Sequence, residues 1–174
     1  MSTREFWSRL LIIIGSIAML VGAVDPMEGS LVILPGSGFV ALGTFLGQSE
    51  RRLVVYRASV FILIAIGVGA LWALSSLGGF GGNGGRSMWW GALILPYLIG
   101  WSMGIWGPRS PVWVLLLGLV VGLWYLAILV IILNRSTGHS ESMSAFPSIV
   151  IGTIGILTIG GCLHRLRKRI PGRA

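Results

Sequence analysis

DPMEGSLVILPGSGFVALGTFLGQSERR, residues 25–52, decides how this chain folds. Two carboxylates, Asp25 and Glu28, open it, and Glu50, Arg51 and Arg52 close it. Between them runs an apolar segment, Leu31 to Gly47, broken by Pro35, Gly36, Ser37 and Gly38. As a helix it is about 25 Å long, at roughly 1.5 Å per residue, against roughly 30 Å of bilayer hydrocarbon. Pro35 removes a backbone donor, and the two glycines ease a bend. A re-entrant loop would put Arg51, Arg52 and Arg57 on the same side as Asp25 and Glu28, against the charge bias that orients membrane helices. The stretch is therefore read as an acidic turn, a crossing helix with a flaw in it, and a basic turn on the far side.

Composition agrees. Apolar residues make up 55% of the 174, charged residues 10%, and mean hydropathy is +0.89. A soluble domain is about one-quarter charged, and a chain of this size still exposes roughly 30% of its unfolded surface when folded. Lipid is the expected solvent. The lone cysteine, Cys162, excludes an intramolecular disulfide and any CxxC motif.

Outward from the central stretch the expected spans are about 7–24, 31–47, 58–74, 89–106, 112–133 and 146–163, in a single domain over 1–174. The fold class is an all-α, polytopic membrane helical bundle of six transmembrane helices. The first run, with basic residues before it and Val21, Gly22 and Ala23 after it, also has the form of a cleaved signal peptide. Against that, the next apolar run starts close behind, at Leu31. The loop SSLGGFGGNGGRSM lacks the GK[ST] and the preceding strand of a phosphate-binding loop. Span four carries Pro96 and ends in Gly107-Pro108-Arg109-Ser110-Pro111, a tight turn. A basic tail, 164–174, closes the chain.

With the N-terminus inside, eleven of the 13 basic residues fall on inner segments. Only Arg86 and Arg135 fall outside. This split predicts both termini in the cytoplasm, N-in and C-in. It also explains the net charge of +8 without nucleic acid, because cationic groups at the inner face meet anionic head groups. Arg165, Arg167, Lys168 and Arg169 are the expected head-group contacts, and no nucleic-acid-binding module is recognisable.

The tryptophans fit an interfacial belt, with Trp7, Trp106 and Trp113 at inner ends and Trp72, Trp89 and Trp90 at outer ends. Trp101 and Trp124 lie deeper and are expected to make helix contacts. Small residues recur four apart, as Gly43 with Gly47, Ala65 with Gly69, Gly100 with Gly104, Gly118 with Gly122, and Ser148 with Gly152. Each pair lies on one helix face and allows close backbone approach, although 27 glycines make chance pairs common.

LVILP at 31–35 and ALILP at 92–96 form a faint repeat, with Gly43 and Gly104 at the same offset, and Pro147 begins span six. Three hairpins, each with a proline-marked returning helix, follow from it. In architecture this resembles the six-span short-repeat membrane proteins of bacterial acid resistance. DPMEGSLVILPGSGFVALGTFLG and GRSMWWGALILPYLIGW are similar to segments of uncharacterised small bacterial inner-membrane proteins. The second resemblance implies an inner-membrane location and no activity.

No catalytic, cofactor or metal set is expected. His139 and His164 fall at opposite faces, and no ionisable residue falls in a span centre, which argues against proton coupling. Asp25 and Glu28 form a candidate outer mouth, with helix capping as the plainer role. The leading reading is an integral inner-membrane protein without a catalytic site, not an enzyme. It would serve as an accessory, assembly or stress-related component, with the lipid bilayer, other membrane proteins or further copies of itself as partners. One alternative is a small channel or carrier, with Pro35, Gly36, Ser37 and Gly38 facing Pro96, Tyr97 and Ser102. A second is a membrane enzyme that gathers Asp25, Glu28, Arg86 and Glu141 at the outer face.

Overall fold

The computed structural model describes residues 3–24, 28–78, 88–136 and 145–168, and among these there is no strand. Helix α1 covers Thr3–Val21 and ends in a 3-10 turn, Gly22–Val24. It is followed by α2 (Ser30–Leu46), α3 (Arg51–Ser76), a 3-10 segment (Met88–Ile94) leading into α4 (Leu95–Trp106), α5 (Val112–Ser136) and α6 (Ala145–Arg167). Among the described residues, three stretches are long and apolar enough to cross a membrane: Thr3–Val24, Arg51–Ser76 and Val112–Asn134. Ser30–Leu46 and Ala92–Trp106 are apolar but shorter.

Two local differences from the expected spans have clear causes. Span four is not one α-helix, because Pro96 sits second in α4. In a longer helix its ring would meet the carbonyl of Ala92, and it has no N–H to offer that carbonyl. The chain upstream therefore winds as a 3-10 segment. Twelve α residues at roughly 1.5 Å each and seven 3-10 residues at roughly 2.0 Å each still give about 32 Å. Span three starts earlier than the hydropathy suggests, with Arg51, Arg52 and Arg57 inside the first turns of α3. Arginine is a good helix former, so charge ends the apolar run without ending the helix. Helix α2, by contrast, runs continuously through Pro35.

The helices form two compact units, Met1–Gly104 and Ile105–Ala174. In the first, α1 and α2 pack antiparallel with very little between their backbones. A Cβ on Gly15 would collide with the Gly36 carbonyl and stand 2.9 Å from the Val40 nitrogen. A Cβ on Gly22 would stand 2.7 Å from the Gly29 carbonyl, and one on Gly43 would stand 2.8 Å from the Ser8 carbonyl. The contacts thus pair Ser8 with Gly43, Gly15 with Gly36 and Gly22 with Gly29. On each side of the pair, a small residue returns every seventh position.

Helices α3 and α4 pack by the same means. Gly67 receives Tyr97, while Gly100 lies against Leu63 and Ile64. A Cβ on Gly104 would stand 3.4 Å from Val60 Cγ1. Gly38 of α2 faces the Phe61 ring of α3, so α2 is flanked by α1 and α3. Met19, Ile33, Val40, Val60, Ile64 and Trp101 are buried.

In the second unit, α5 and α6 are antiparallel, and the glycines of each helix receive the side chains of the other. Gly118 lies against Cys162 and Gly122 against Ile159, while Gly155 lies against Leu126 and Gly152 against Leu129. Leu115, Thr158 and Cys162 are fully buried. The turn before α5 places Arg109 at φ 59°, in the left-handed region.

Four of the five expected small-residue pairs lie at helix contacts. The exception is Ala65 with Gly69: a Cβ on Gly69 would meet nothing within 4 Å. Trp124 also departs from expectation, being 57% exposed and not a core contact, whereas Trp101 is 3% exposed.

Candidate functional site

Helix ends are where this protein concentrates its polar chemistry. The last carbonyls of an α-helix have no partner within the helix, and in apolar surroundings each orphan is costly. Arg4 Nε donates to the Leu46 carbonyl at 2.7 Å, and the Ser8 hydroxyl donates to the Gly43 carbonyl at 2.6 Å. Both acceptors lie in the final turn of α2. Near the end of α4, the Tyr56 hydroxyl donates to the Met103 carbonyl at 2.8 Å and Arg57 Nη1 to the Gly104 carbonyl at 3.0 Å. Trp101 Nε1 donates to the Met19 carbonyl at 2.9 Å, where α1 tightens into its 3-10 turn. Arg57 is buried, not spread onto the surface as its place in a basic turn suggested.

Four of the residues expected to line a path, Gly36, Ser37, Gly38 and Tyr97, have contacts within α2 or with α1 and α3. The Ser37 hydroxyl donates to the Leu34 carbonyl of its own helix at 2.7 Å. Gly36 faces Gly15 and Ala18 of α1, Gly38 faces α3, and Tyr97 sits against Gly67 of α3. Ser102 is buried, at 2% exposure. These contacts do not bring Pro35–Gly38 against Pro96–Ser102.

Of the candidate outer mouth, Glu28 lines a cleft of about 430 Å³ with Leu31, Leu71, Trp72, Ser75 and Ser76. Asp25 lies outside the described residues, as do Arg86, His139, Glu141 and Arg169. Among the described residues, no three His, Cys, Asp or Glu side chains are placed to share a metal ion.

A second cleft, of about 560 Å³, lies at the basic end of α6. Trp106, Ile156, Leu157, Gly160, Gly161, His164, Arg165 and Lys168 line it. Gly161 exists for the indole: a Cβ there would stand 2.5 Å from Trp106 Cγ. Arg165 Nε donates to the Trp106 carbonyl at 3.1 Å, which fixes the guanidinium beside the ring. His164 and Lys168 are exposed and one helical turn apart, on one face. Trp106 Nε1 is buried and has no hydrogen-bond partner. Arg167, expected to act with Arg165 and Lys168, is exposed but does not line the cleft.

The sequence reading placed Trp106 in an interfacial belt and missed its orphan donor. The available signal is Gly161, one turn before Arg165, which leaves room for a ring beside a cation. The heptad of Ser8, Gly15 and Gly22 against Gly29, Gly36 and Gly43 is also present in the sequence, at a spacing of seven and not four. The chain matches no protein family, no curated protein and no solved structure.

Proposed function

We propose that this chain is an integral inner-membrane protein of six spans, with both termini in the cytoplasm. It acts as an accessory or assembly component through helix packing and not as an enzyme. The observation that carries this reading is the outward face of the membrane-length helices. On α5, Leu116, Leu117, Val120, Leu123, Trp124, Val130, Ile131 and Leu133 are each 46–62% exposed. Only 22% of the best apolar window of that helix is buried within the protein. In water, such a face would forfeit roughly 25 cal/mol for every Å² left uncovered, whereas acyl chains or a partner helix cover it without loss.

The polar groups support a scaffold more than a conduit. Ser8, Ser37, Tyr56, Arg57 and Trp101 all donate to backbone carbonyls. They complete the fold. The channel reading needs Pro35–Gly38 and Pro96–Ser102 to face each other, whereas Gly36, Gly38 and Tyr97 make contacts with α1 and α3.

The test has two arms. Reporter fusions at Arg52, Arg109 and Ala174 should be active as cytoplasmic reporters and silent as periplasmic ones; periplasmic activity at any of the three ends the six-span topology. Crosslinking in intact membranes, followed by mild solubilisation, should trap one defined partner or a second copy. Recovery of the chain only as an uncrosslinked monomer would refute the assembly role.

A further inference from the structure

We propose that the cleft between the start of α2 and the end of α3 binds the ammonium group of a small organic amine with an apolar body. The proposal goes beyond the assembly role above and does not depend on it, because every lining residue belongs to the unit Met1–Gly104.

Three observations converge. The first is charge. Glu28 is exposed and lines the cleft, and none of the other five lining residues is ionisable. The wall thus carries a net negative charge. Glu28 precedes Gly29, the N-cap of α2, and its carboxylate also suits the positive end of that helix. That role needs neither the cleft nor the ring beside it.

The second is the end of α3. Helices α2 and α4 end on carbonyls that each take a guanidinium, Arg4 at Leu46 and Arg57 at Gly104. The last turn of α3 has no basic residue, and its Ser75 and Ser76 line the cleft. The negative end of that helix dipole favours a cation there. The Ser76 hydroxyl donates to the Ala73 carbonyl at 2.9 Å, so its oxygen keeps lone pairs for a ligand donor. Carboxylate and hydroxyl oxygens suit the three N–H donors of a primary ammonium.

The third is the apolar wall. Trp72 Nε1 donates to the Ser30 hydroxyl at 3.5 Å, and Ser30 is fully buried. The indole N–H is turned into the protein, and a ligand meets the ring of a residue that is 52% exposed. An indole face attracts a cation placed over it. Leu31 and Leu71 give a carbon chain its contacts. A bare calcium ion would need about six to eight oxygen ligands and no hydrocarbon wall. A phosphodiester would find no basic residue in the lining, which favours a free amine over the ethanolamine head group of a lipid. The volume, about 430 Å³, is within the range of small-molecule sites.

The test uses the full-length chain in maltoside micelles, which contain no amine, with radiolabelled phenethylamine in equilibrium dialysis. Phenethyl alcohol has the same body without the charge and corrects for uptake by the micelle. The expected result is saturable binding of one amine per chain, with no saturable binding of the alcohol. Glu28→Gln should weaken binding roughly tenfold, the usual worth of a hydrogen bond to a charged group. Trp72→Leu should weaken it about threefold, and Trp72→Phe by less, since a ring remains. Both tryptophan variants lose the bond to Ser30, so the difference between them reports the ring alone. Glu50→Gln, at an exposed position outside the cleft, should leave binding unchanged.

Equal losses in Glu28→Gln and Glu50→Gln would show only a diffuse attraction to negative charge and overturn the site. Equal binding of amine and alcohol would show an apolar crevice and overturn it as well. Displacement of the amine by phosphatidylethanolamine at equal concentration would give the ammonium to a lipid head group and overturn the free-amine assignment. Failure of the reporter or crosslinking arms above would leave this site standing, since its binding is read on the chain alone.

Discussion

Gly15→Ala tests the packing that joins the first two helices. The added Cβ would collide with the Gly36 carbonyl and lie 2.8 Å from Val40 Cγ2 and 2.9 Å from the Val40 nitrogen. Two of these three obstacles are backbone of α2, which cannot move aside as a flexible side chain can. Overpacking of this kind costs about 1–3 kcal/mol. Alanine also returns about 1 kcal/mol of helix propensity, so a single variant read alone is ambiguous. Gly69→Ala removes the ambiguity. It makes the same chemical change in the middle of α3, where the new Cβ would meet nothing within 4 Å.

The difference between the two variants isolates the α1/α2 contact, because propensity and unfolded-chain terms cancel to first order. We expect Gly69→Ala to match or exceed the parent. Gly15→Ala should be about 1–3 kcal/mol less stable than Gly69→Ala. Titration of mixed micelles with a denaturing detergent, followed by tryptophan fluorescence, measures both. Agreement of the two within about 0.5 kcal/mol, the ordinary scatter of surface substitutions, would refute the contact. Gly36→Ala should behave like Gly15→Ala, since its Cβ would lie 2.9 Å from Ala18 Cβ and 3.0 Å from the Gly15 carbonyl. The double variant should fall short of the sum, because helices already pushed apart by one methyl admit the second more cheaply.

Trp101→Phe keeps most of the buried ring and deletes the donor to the Met19 carbonyl. It should cost about 1–3 kcal/mol in the same titration, as a buried acceptor losing its partner does. Arg57→Met preserves the apolar stem and removes the bond to the Gly104 carbonyl; a loss of similar size, about 1–3 kcal/mol, is expected, with partial recovery in Arg57→Lys. Cys162 is fully buried, so a membrane-permeant maleimide should label it only after unfolding, at a rate set by opening of the α5/α6 pair. Rapid labelling of the folded chain would contradict that packing.

Helix positions were legible because the apolar runs are long and their stops are charged or proline-rich. Where the sequence reading failed, a contact between distant residues outweighed a local signal. Trp124 and Trp101 both look like core tryptophans in an apolar run. Only Trp101 faces an acceptor, the Met19 carbonyl 82 residues away, and no local pattern announces that pairing. Arg57 looked like one more charge in a basic turn until α3 extended back to Arg51 and turned it toward α4. The glycine heptad was present in plain view, but a period of seven becomes meaningful only once two helices are known to run antiparallel. At the basic end of α6 the charges of Arg165 and Lys168 are evident in the sequence, while the bond from Arg165 Nε to the Trp106 carbonyl, 59 residues away, depends on tertiary packing.

In the proposed topology the arginines would carry two roles, one in the fold and one in orientation. In a six-span, N-in arrangement the helices running inward, α2, α4 and α6, end at the cytoplasmic face, and their orphan carbonyls accumulate where the arginines are. Arg4, Arg57 and Arg165 each donate to such a carbonyl. They would be needed for the fold in either orientation, so they are not evidence for one. Setting these three aside leaves eight inner cations against two outer ones, and the bias survives. Arg51 and Arg52 are the most telling of the eight. They occupy the first turn of α3, where the helix dipole opposes positive charge. No described side-chain bond from either one offsets that cost within the fold. In the proposed six-span arrangement, holding the α2–α3 turn at the inner face is the role left for cations at that position. Accordingly, Arg51→Gln with Arg52→Gln should leave folding intact or slightly improved while loosening orientation, seen as a fraction of chains with the α2–α3 turn reachable by an impermeant reagent from outside. Unchanged orientation with lowered stability would invert the assignment and make these residues structural.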